Sequence, residues 1–464
     1  MPNLSDILKY LENKDLKIFF SGIGGISMSA IAAALHQRGY KIYGSDSNDC
    51  DPVKKLRELG VEVSIPYKRE NISEDCDLLV YMARIKEDNP EIIRAKELNI
   101  PIIKRAQMLG ALMSGYKTSI GISGTHGKSS VTSMTSEIFM RAKTDPTFFI
   151  GAIYPPINSA YKTGAGDYFI LEADEYSDSF LNFHPNISVI LNIEMDHPDF
   201  FKDLNDVISS FSEFLENTSD CAIINANDKN ALKAAENFKG EVITFSLKDP
   251  SADIFVKNIN YPGGFPEFDI TAKGEVYAHV KLCVPGEYNI YNAAAAASVA
   301  YKCKIDSKFV EAGLNIFKGA QRRFEYKGDL NSAKIYDDYA HHPTAVKKTL
   351  TEAQKIAKAR NGKLWYVFQP HTYSRTRELF DDFCEVLSLA ENLILTEIYS
   401  ATEKNTHGIS SKDIAARLKN CVYIENFGEI AEYLKKNAAE NDLIIVTGAG
   451  DINNLTKMLV STNG

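Results

Sequence analysis

Residues 121–132 read G-I-S-G-T-H-G-K-S-S-V-T, a spacing that suits the binding of phosphate groups. They follow a β-prone run at residues 118–122 and lead into a stretch with apolar residues at helical intervals. In such a turn, backbone N–H groups face phosphate oxygens, a lysine reaches the terminal phosphates and a hydroxyl is available to Mg²⁺. The sequence therefore predicts a phosphate-binding loop made by Gly124, Thr125, His126, Gly127, Lys128, Ser129 and Ser130.

This loop differs in one respect from the usual P-loop. That pattern places a glycine five residues before Gly127, where this chain has Ile122, with Gly121 and Gly124 on either side. The alternative is a glycine-rich loop with an incidental lysine and serine. We favour the phosphate loop because a strand and a helix are predicted on its flanks.

Acidic residues follow two apolar runs in the middle of the chain. Residues 167–171 run into Glu172, and residues 188–191 run into a polar stretch that includes His197. Because carboxyl ends of parallel strands share one edge of a sheet with the phosphate loop, we expect both side chains near the nucleotide. Oxygen ligands suit Mg²⁺, and an imidazole ligand is less usual for it. Each cluster alone could be a solvated strand end, but together they predict catalytic residues Lys128, Glu172 and His197 and metal ligands Ser129, Glu172 and His197.

A second glycine loop lies near the N-terminus, between two predicted strands at residues 16–20 and 41–44. This pattern resembles the start of a dinucleotide-binding unit, which holds a ribose hydroxyl with an acid after the second strand. Ser27 replaces the third glycine of G-x-G-x-x-G, so NAD binding is weakly supported and a glycine turn used only for packing is the alternative. The candidate ligand-binding residues are Gly22, Ile23, Gly24, Gly25, Ser45 and Asp46.

The second half of the chain continues with a predicted β-meander at residues 253–284 and an alanine-rich helix. Asn289 and Asn292, one turn apart at the start of that helix, could contact the edge of a base, or Asn289 could cap the helix. A third unit of strands, polar loops and helices follows Gly319. Its polar candidates are Arg323, Asp338, Tyr339, His341 and Arg375.

Length and composition limit the class of protein. At 464 residues the chain is too long for one core, and we predict an α/β protein of three domains at residues 1–107, 108–319 and 320–464. A net charge of −9 gives no basic footprint for nucleic acid. Seven cysteines without C-x-x-C spacing fit neither a disulfide framework nor a zinc site. We find no membrane-spanning run or signal peptide, and therefore expect a cytoplasmic protein without membrane association. We expect it to be a monomer or weak homodimer.

With these residues in place, the chain resembles the Mur ligase family over essentially its full length. The resemblance rests on ordered motifs rather than on one loop. These are G-I-G-G-I-S-M near the N-terminus, K-R-A-Q-M-L at residues 104–109, G-T-H-G-K-S at 124–129, E-A-D-E at 172–175, N-I-E-M-D-H at 192–197, D-D-Y-A-H-H-P at 337–343, F-Q-P-H at 368–371 and G-A-G-D at 448–451.

The resemblance implies an ATP- and Mg²⁺-dependent amide ligase of peptidoglycan precursor synthesis that joins L-alanine to UDP-N-acetylmuramate through an acyl phosphate. It implies a Rossmann-like domain that binds the UDP-sugar, a central P-loop domain that binds ATP, and a Rossmann-like C-terminal domain that binds the amino acid. Asn289 and Asn292 would contact adenine, Arg323 the phosphate and Asp338 the ribose. Tyr339, His341 and Arg375 would line the amino-acid pocket, and the N-terminal glycine loop with Ser45 and Asp46 would hold UDP.

Two departures from the family pattern bear on the substrate. Thr372 stands where many alanine-adding members carry an arginine, so one basic contact is missing or supplied elsewhere. Residues 203–217 contain no lysine, whereas several members that add later residues carry a carbamylated lysine there, which favours alanine. The alternatives are a ligase that attaches a preformed peptide to the same nucleotide sugar and, with less support, a non-ligase nucleotide-binding protein.

Overall fold

The computed structural model of the protein describes residues 4–82, 85–197, 200–406 and 408–460. Helices and strands alternate along the chain and build three sheets, which confirms the predicted α/β class. Contacts divide the chain into two units: Met1–Phe255 with Thr271–Glu275 and Ala294–Gly313, and Val256–Ile270 with Val276–Ala293 and Leu314–Gly464. The domain boundaries at residues 107 and 319 stay a prediction.

The first sheet of the first unit has five parallel strands in the order β3-β2-β1-β4-β5. Its central strand, K-I-F-F-S, is apolar and buried beyond its first residue, as expected for a parallel sheet covered on both faces. The elements are α1 Leu4–Glu12, β1 Lys17–Ser21, α2 Ile26–Gln37, β2 Lys41–Ser45, α3 Asp51–Glu58, β3 Glu62–Ser64, β4 Leu78–Tyr81, α4 Pro90–Glu97, β5 Ile102–Lys104 and α5 Arg105–Met113.

Within the same unit, seven strands of the second sheet follow the order β12-β11-β10-β6-β9-β7-β8. All of these pairs are parallel except β7 with β8. The phosphate loop therefore follows a strand with neighbours on both sides. The elements are β6 Thr118–Ser123, α6 Lys128–Arg141, β7 Thr147–Tyr154, β8 Ser159–Lys162, β9 Tyr168–Glu172, β10 Ile187–Ile190, α7 Leu204–Glu216, β11 Cys221–Asn225, α8 Lys229–Ala235 and β12 Glu241–Ser246.

Three strands at the predicted meander lie side by side in chain order, and two helices follow them. The first of the two helices is the alanine-rich segment, and its alanines are fully buried. The elements are β13 Ile254–Asn260, β14 Glu267–Ala272, β15 Glu275–Lys281, α9 Glu287–Lys302 and α10 Ser307–Leu314.

The third sheet belongs to the second unit and has the order β16-β17-β21-β18-β19-β20. The edge strand β16 is antiparallel to β17, and the remaining pairs are parallel. The elements are β16 Glu325–Leu330, β17 Ala333–Asp338, α11 Pro343–Ala359, β18 Leu364–Phe368, α12 Tyr373–Glu378, α13 Phe380–Leu387, β19 Asn392–Leu395, α14 Ser411–Arg417, β20 Cys421–Tyr423, α15 Phe427–Asn437, β21 Leu443–Thr447 and α16 Asn453–Val460.

Among the helices of the described residues, none has the length and apolar character needed to cross a membrane.

A close backbone contact joins helix α5 to the segment between β9 and β10, within the first unit. Gly110, in the middle of α5, lies so near the backbone of Asn182 that a β-carbon on residue 110 would overlap the Asn182 carbonyl oxygen. Neither partner in this overlap is a flexible side chain. Only a glycine therefore lets α5 approach this segment without displacing the main chain.

We expect Gly110→Ala to destabilise the protein by about 1–3 kcal/mol, the cost of forcing extra volume into a packed site, despite the better helix propensity of alanine. The melting temperature from scanning calorimetry measures this effect. Gly115→Ala is the matched control, because a β-carbon there would meet its nearest atoms at 3.5 and 3.6 Å. Equal melting temperatures for the two variants would contradict the close contact.

Candidate functional site

The phosphate loop connects β6 to α6, as predicted, and two of its glycines adopt conformations that other residues rarely take. Gly124 has φ +141° and Gly127 has φ +91°. Gly121 has a different role, since it lies inside β6 and a β-carbon there would meet the Phe214 ring at 3.0 Å. The unusual glycine spacing of the sequence thus reflects one packing position and two loop positions.

Asn192, two residues after β10, fixes the conformation of this loop. The backbone N–H of Thr125 donates to its carbonyl oxygen at 2.9 Å, and that of His126 donates to its side-chain oxygen at 2.8 Å. The side-chain amide of Asn192 donates back to the carbonyl of His126 at 3.0 Å. The loop is therefore ordered by its own chain before any ligand binds.

Lys128 forms a buried ion pair at the start of α6. Its Nζ lies 2.7 Å from the Glu175 carboxylate and also donates to the Gly124 carbonyl at 2.7 Å. Burial lowers the pKa of Lys128, but the charges of Glu175, Asp174 and Glu172 outweigh that effect and raise its pKa overall. The lysine is therefore held as a cation beside the phosphate loop.

Ser129 and Glu172 are two predicted site residues that the structure brings together. The Ser129 hydroxyl donates to Glu172 Oε1 at 3.0 Å, and the backbone N–H of Gly151 donates to Oε2 at 2.6 Å. A serine hydroxyl beside a carboxylate offers the hard oxygen ligands that Mg²⁺ prefers. These two residues fit the predicted metal site in their chemistry.

His197 lies beside Asp174 and Glu175, two acids that the sequence did not select as metal ligands. Its ring nitrogen is grouped with the carboxylates of Asp174 and Glu175, with all three ligand atoms within 4.8 Å of one another. The backbone of His197 is left-handed at φ +54°, and its N–H donates to the Asp196 side chain at 2.8 Å. Glu175 also pairs with Lys128, so it connects His197 to the phosphate loop. The role of His197 as a metal ligand together with Glu172 stays a prediction.

The N-terminal glycine loop is closed by hydrogen bonds within its own chain. The backbone N–H groups of Gly22 and Ile23 both donate to the Ser45 carbonyl at 2.9 Å, and that of Gly24 donates to the Asp46 carboxylate at 2.8 Å. The loop and the strand end that were predicted to bind one ligand are thus held together. The Gly25 N–H completes the turn by donating to the Gly22 carbonyl at 3.2 Å.

The Ser45 hydroxyl points into a buried network instead. It donates to Glu91 at 2.8 Å, and the hydroxyl of Ser21 and the side-chain amide of Asn71 donate to the same carboxylate at 2.5 and 2.7 Å. Glu91 is fully buried at the start of α4. It was not found from the sequence because its partners lie 20 to 70 residues away along the chain.

In the second unit, both asparagines predicted to contact adenine are buried in the first turns of α9. The Asn289 side-chain amide donates to the Pro285 carbonyl at 2.7 Å, and its oxygen accepts from Asn292 at 3.0 Å. A capping side chain would instead accept N–H groups from the following residues. The alternative interpretation of Asn289 as the helix cap is therefore wrong, because it is the third residue of α9.

Asp338, at the end of β17, organises the chain around it. Its carboxylate accepts the backbone N–H groups of Phe324 at 2.8 Å and Ala340 at 2.9 Å, and the hydroxyl of Thr349 at 3.0 Å. Burial raises the pKa of Asp338, and these hydrogen bonds together with the charge of Arg323 oppose the rise. The structure thus gives the predicted ribose ligand a structural role.

The neighbouring Asp337 pairs with Arg322, an arginine that the sequence did not select. The Arg322 guanidinium lies 3.4 Å from Asp337 and donates to the carbonyl oxygens of Gly448 and Gly450. Arg322 therefore joins the end of β17 to the G-A-G-D loop after β21. The predicted Arg323 lies above Tyr339, with its guanidinium carbon 5.1 Å from the ring centre.

The residues predicted to bind the amino acid form one aromatic and basic cluster. Tyr339 contacts His341 with ring centres 5.3 Å apart, and His341 contacts His371 at 5.9 Å. Arg375 lies 3.4 Å from the His371 ring nitrogen. Burial lowers the pKa of His371, and the charge of Arg375 lowers it further, so the imidazole is neutral at pH 7 and Arg375 is its charged neighbour.

A loop that the sequence did not single out holds this cluster in place. Glu403 accepts the backbone N–H and the hydroxyl of Ser374 at 3.0 and 2.6 Å, at the start of α12, which carries Arg375. The backbone carbonyl of Tyr399 accepts the Thr372 N–H at 2.8 Å, and the Tyr399 ring stacks on His371. No spacing rule links residues 399–403 to residues 371–375, so only the folded chain reveals this contact.

Three models of Mur ligase domains match successive parts of the chain. The model described as Mur ligase family, catalytic domain, matches residues 17–117, the Mur ligase middle domain matches residues 122–300, and the Mur ligase, glutamate ligase domain, matches residues 322–450. Together they cover most of the chain.

Curated relatives extend this similarity to whole proteins. The UDP-N-acetylmuramate–L-alanine ligase of Caldicellulosiruptor bescii is 44% identical over 444 residues, which are 94% of this chain and 96% of that protein. The protein of the same name from Clostridium tetani is 44% identical over 454 residues, 96% of this chain and 97% of that protein.

Two solved structures have the same fold. UDP-N-acetylmuramate-alanine ligase MurC from Thermotoga maritima matches with a TM-score of 0.79 at 28% identity, covering 97% of this chain and 99% of its own. A murein peptide ligase from Psychrobacter arcticus matches with a TM-score of 0.69 over 96% of this chain and 98% of its own, at 22% identity.

The buried Asp337 makes stability depend on pH. Burial raises its pKa from 3.8 to about 6, although Arg322 lowers it. Because the pKa of Asp337 is higher in the folded than in the unfolded protein, its contribution to the free energy of unfolding is fully present below about pH 4. That contribution is lost as pH rises through about 6. We expect Asp337→Asn to gain stability relative to the parent protein between pH 4 and pH 8, by at most ~3 kcal/mol.

The measurement is urea unfolding followed by the fluorescence of Trp365, the single tryptophan of the chain, which lies in β18 of the same sheet. The quantity compared is the stability difference between the two proteins at pH 4 and at pH 8. The Arg322 charge is already included in it, because that charge contributes to the folded pKa of about 6. A stability difference that does not change with pH would contradict the raised pKa.

Proposed function

The chain belongs to the Mur ligase family, and from that premise we propose that it joins L-alanine to the carboxylate of UDP-N-acetylmuramate in an ATP-dependent, ADP-forming reaction of peptidoglycan precursor synthesis. The observation that carries this proposal is the 44% identity, over nearly the whole chain, to curated ligases of that name. The phosphate loop with its buried Lys128 supplies the machinery that such a reaction needs.

The first step transfers the γ-phosphoryl group of ATP to the substrate carboxylate. The bond between that phosphorus and the oxygen bridging to the β-phosphate breaks, ADP leaves, and an acyl phosphate forms. Negative charge spreads over the transferring oxygens, so the preorganised ammonium of Lys128 stabilises the transition state. Gly124 and Gly127 let the backbone approach the phosphates, and Thr125, His126, Ser129 and Ser130 complete the loop.

Ser129, Glu172 and His197 would hold Mg²⁺, which supplies positive charge to the phosphate oxygens when bound. The support for this assignment is the hydroxyl and carboxylate of Ser129 and Glu172, 3.0 Å apart, which are ligands of the right hardness. In the second unit, Asn289 and Asn292 would contact adenine, Arg323 the phosphate and Asp338 the ribose. Gly22, Ile23, Gly24, Gly25, Ser45 and Asp46 would form the UDP site.

In the second step, the deprotonated amine of L-alanine attacks the acyl carbon. The tetrahedral intermediate then breaks its bond to the phosphate oxygen, releases inorganic phosphate and loses an N–H proton to solvent, which leaves the amide. Arg375 suits the L-alanine carboxylate because a guanidinium makes charge-assisted hydrogen bonds to it. Tyr339 and His341 line the same cluster. A neutral His371 beside Arg375 avoids repelling the ammonium group of the incoming amino acid, which is a reason to place the acceptor here.

The second candidate function is attachment of a preformed peptide to the same nucleotide sugar. The match to a murein peptide ligase shows a common fold, and at 22% identity it does not support a common substrate. The deciding experiment measures phosphate release with ATP, Mg²⁺ and UDP-N-acetylmuramate, scanned across single amino acids and the tripeptide. Release that requires the tripeptide would replace the proposed function with the second.

We expect Lys128→Ala and Glu172→Ala each to lower turnover by at least ~10²-fold, the scale for losing one preorganised charge contact at a reacting group. Steady-state phosphate release measures the loss, and circular dichroism checks the fold. Lys117→Ala is the matched control, since that lysine is 78% exposed and lies one residue before β6. Near parental turnover in either site variant would refute the assignment.

We also expect L-alanine to be the best acceptor, with glycine and L-serine next and larger side chains inactive. A small pocket discriminates a single methyl group by only ~1–3 kcal/mol, so glycine and L-serine should retain measurable activity as acceptors. The measurement is kcat/KM for each amino acid at saturating ATP and nucleotide sugar. A preference for glutamate or a diamino acid would place the protein in another branch of the family.

A further inference from the structure

Arg105 is a basic residue of the K-R-A-Q-M-L motif to which no function has been given above. It is the first residue of α5, and its guanidinium donates to the Ser27 hydroxyl at 2.8 Å. Across residues 4–82, 85–197, 200–406 and 408–460, the structure shows no other hydrogen bond from this side chain and no carboxylate within ion-pair distance of it. Most of its five N–H donors are therefore unused.

The Arg105 side chain is half-buried. Partial burial lowers the pKa of Arg105, and the charge of Asp174 opposes that effect. Arginine is the side chain best suited to binding phosphate in a fork, because its planar guanidinium offers paired N–H donors. The ligand-free protein thus carries a half-buried cation with unused donors whose geometry suits an anion.

Arg105 lies where the nucleotide sugar would need positive charge. Ser27 is the second residue of α2, directly after the glycine loop at residues 22–25. Three backbone N–H groups of that loop, those of Gly22, Ile23 and Gly24, already donate to Ser45 and Asp46. The charge of a diphosphate at this loop must therefore be met mainly by another group, and Arg105 is the cation beside it.

The charge of Asp174 also acts on Arg105. Asp174 lies with Glu175 and His197, with their ligand atoms within 4.8 Å of one another. Arg105 is therefore within electrostatic reach of residues beside the phosphate loop.

We propose that Arg105 binds the diphosphate of the nucleotide sugar, an assignment that rests on the proposed function. The guanidinium of Arg105 could bind either of two anionic parts of the substrate, the diphosphate or the carboxylate of the sugar. The position next to Ser27 and the glycine loop favours the diphosphate.

The test is Arg105→Leu, assayed by titration calorimetry with UDP, UDP-N-acetylglucosamine and UDP-N-acetylmuramate. We expect affinity to fall at least ~30-fold for all three ligands, the scale for removing one partner of a buried charged contact, with ATP affinity unchanged. The melting temperature of the ligand-free variant should stay close to that of the parent protein, because the half-buried side chain makes a single hydrogen bond there.

Arg38→Leu is the matched control, since Arg38 follows the other end of α2 and stacks on Tyr116 at 4.4 Å. We expect it to lose stability and keep its UDP affinity. Should Arg105→Leu not fold, Arg105→Lys keeps the charge without the fork and should weaken UDP at least ~5-fold.

Two outcomes would overturn the proposal. If only UDP-N-acetylmuramate binds more weakly, the anion is the sugar carboxylate; if UDP affinity is kept while the melting temperature falls, Arg105 is a structural residue. Failure of the parent protein to bind UDP-N-acetylmuramate while it binds UDP would instead count against the proposed function, which keeps the two failures distinguishable.

Discussion

The buried ion pair between Lys128 and Glu175 is the interaction on which the phosphate loop depends. Its two side chains are 14% and 3% exposed, so neither charge would be stable there without the other. The pair holds the lysine close to the Gly124 carbonyl and connects the loop to the end of β9. A nucleotide that binds here competes with Glu175 for the ammonium group, so part of the lysine's attraction for phosphate is already offset in the free protein.

In the second unit, as at Lys128, charged side chains are held by hydrogen bonds and ion pairs within the chain. Asp338 accepts three hydrogen bonds, and Arg322 is held by Asp337 and two glycine carbonyls. These contacts fix the loops that follow β17 and β21. Such preassembled loops leave little rearrangement to the moment of reaction, and that favours electrostatic stabilisation of a transition state.

Much of the architecture could be predicted from the sequence because apolar runs and glycine turns are local signals. The phosphate loop follows its predicted strand, and the N-terminal glycine loop lies between β1 and β2, close to the predicted residues 16–20 and 41–44. The contacts of Glu91, Gly151 and Glu403 could not be predicted, because their partners lie 20 or more residues away. His197 was placed at the right strand end, yet its acid neighbours depend on a left-handed backbone that no spacing rule indicates.

Thr372 has φ +65° and ψ 145°, a backbone conformation that is almost confined to glycine and costs of the order of 1–3 kcal/mol for other residues. The loop at residues 399–403 holds this threonine in place. A glycine at position 372 would relieve that cost, and the stability gained would compensate for destabilising changes elsewhere in the aromatic and basic cluster. Under the proposed function, position 372 is a starting point for engineering the protein to accept amino acids larger than alanine.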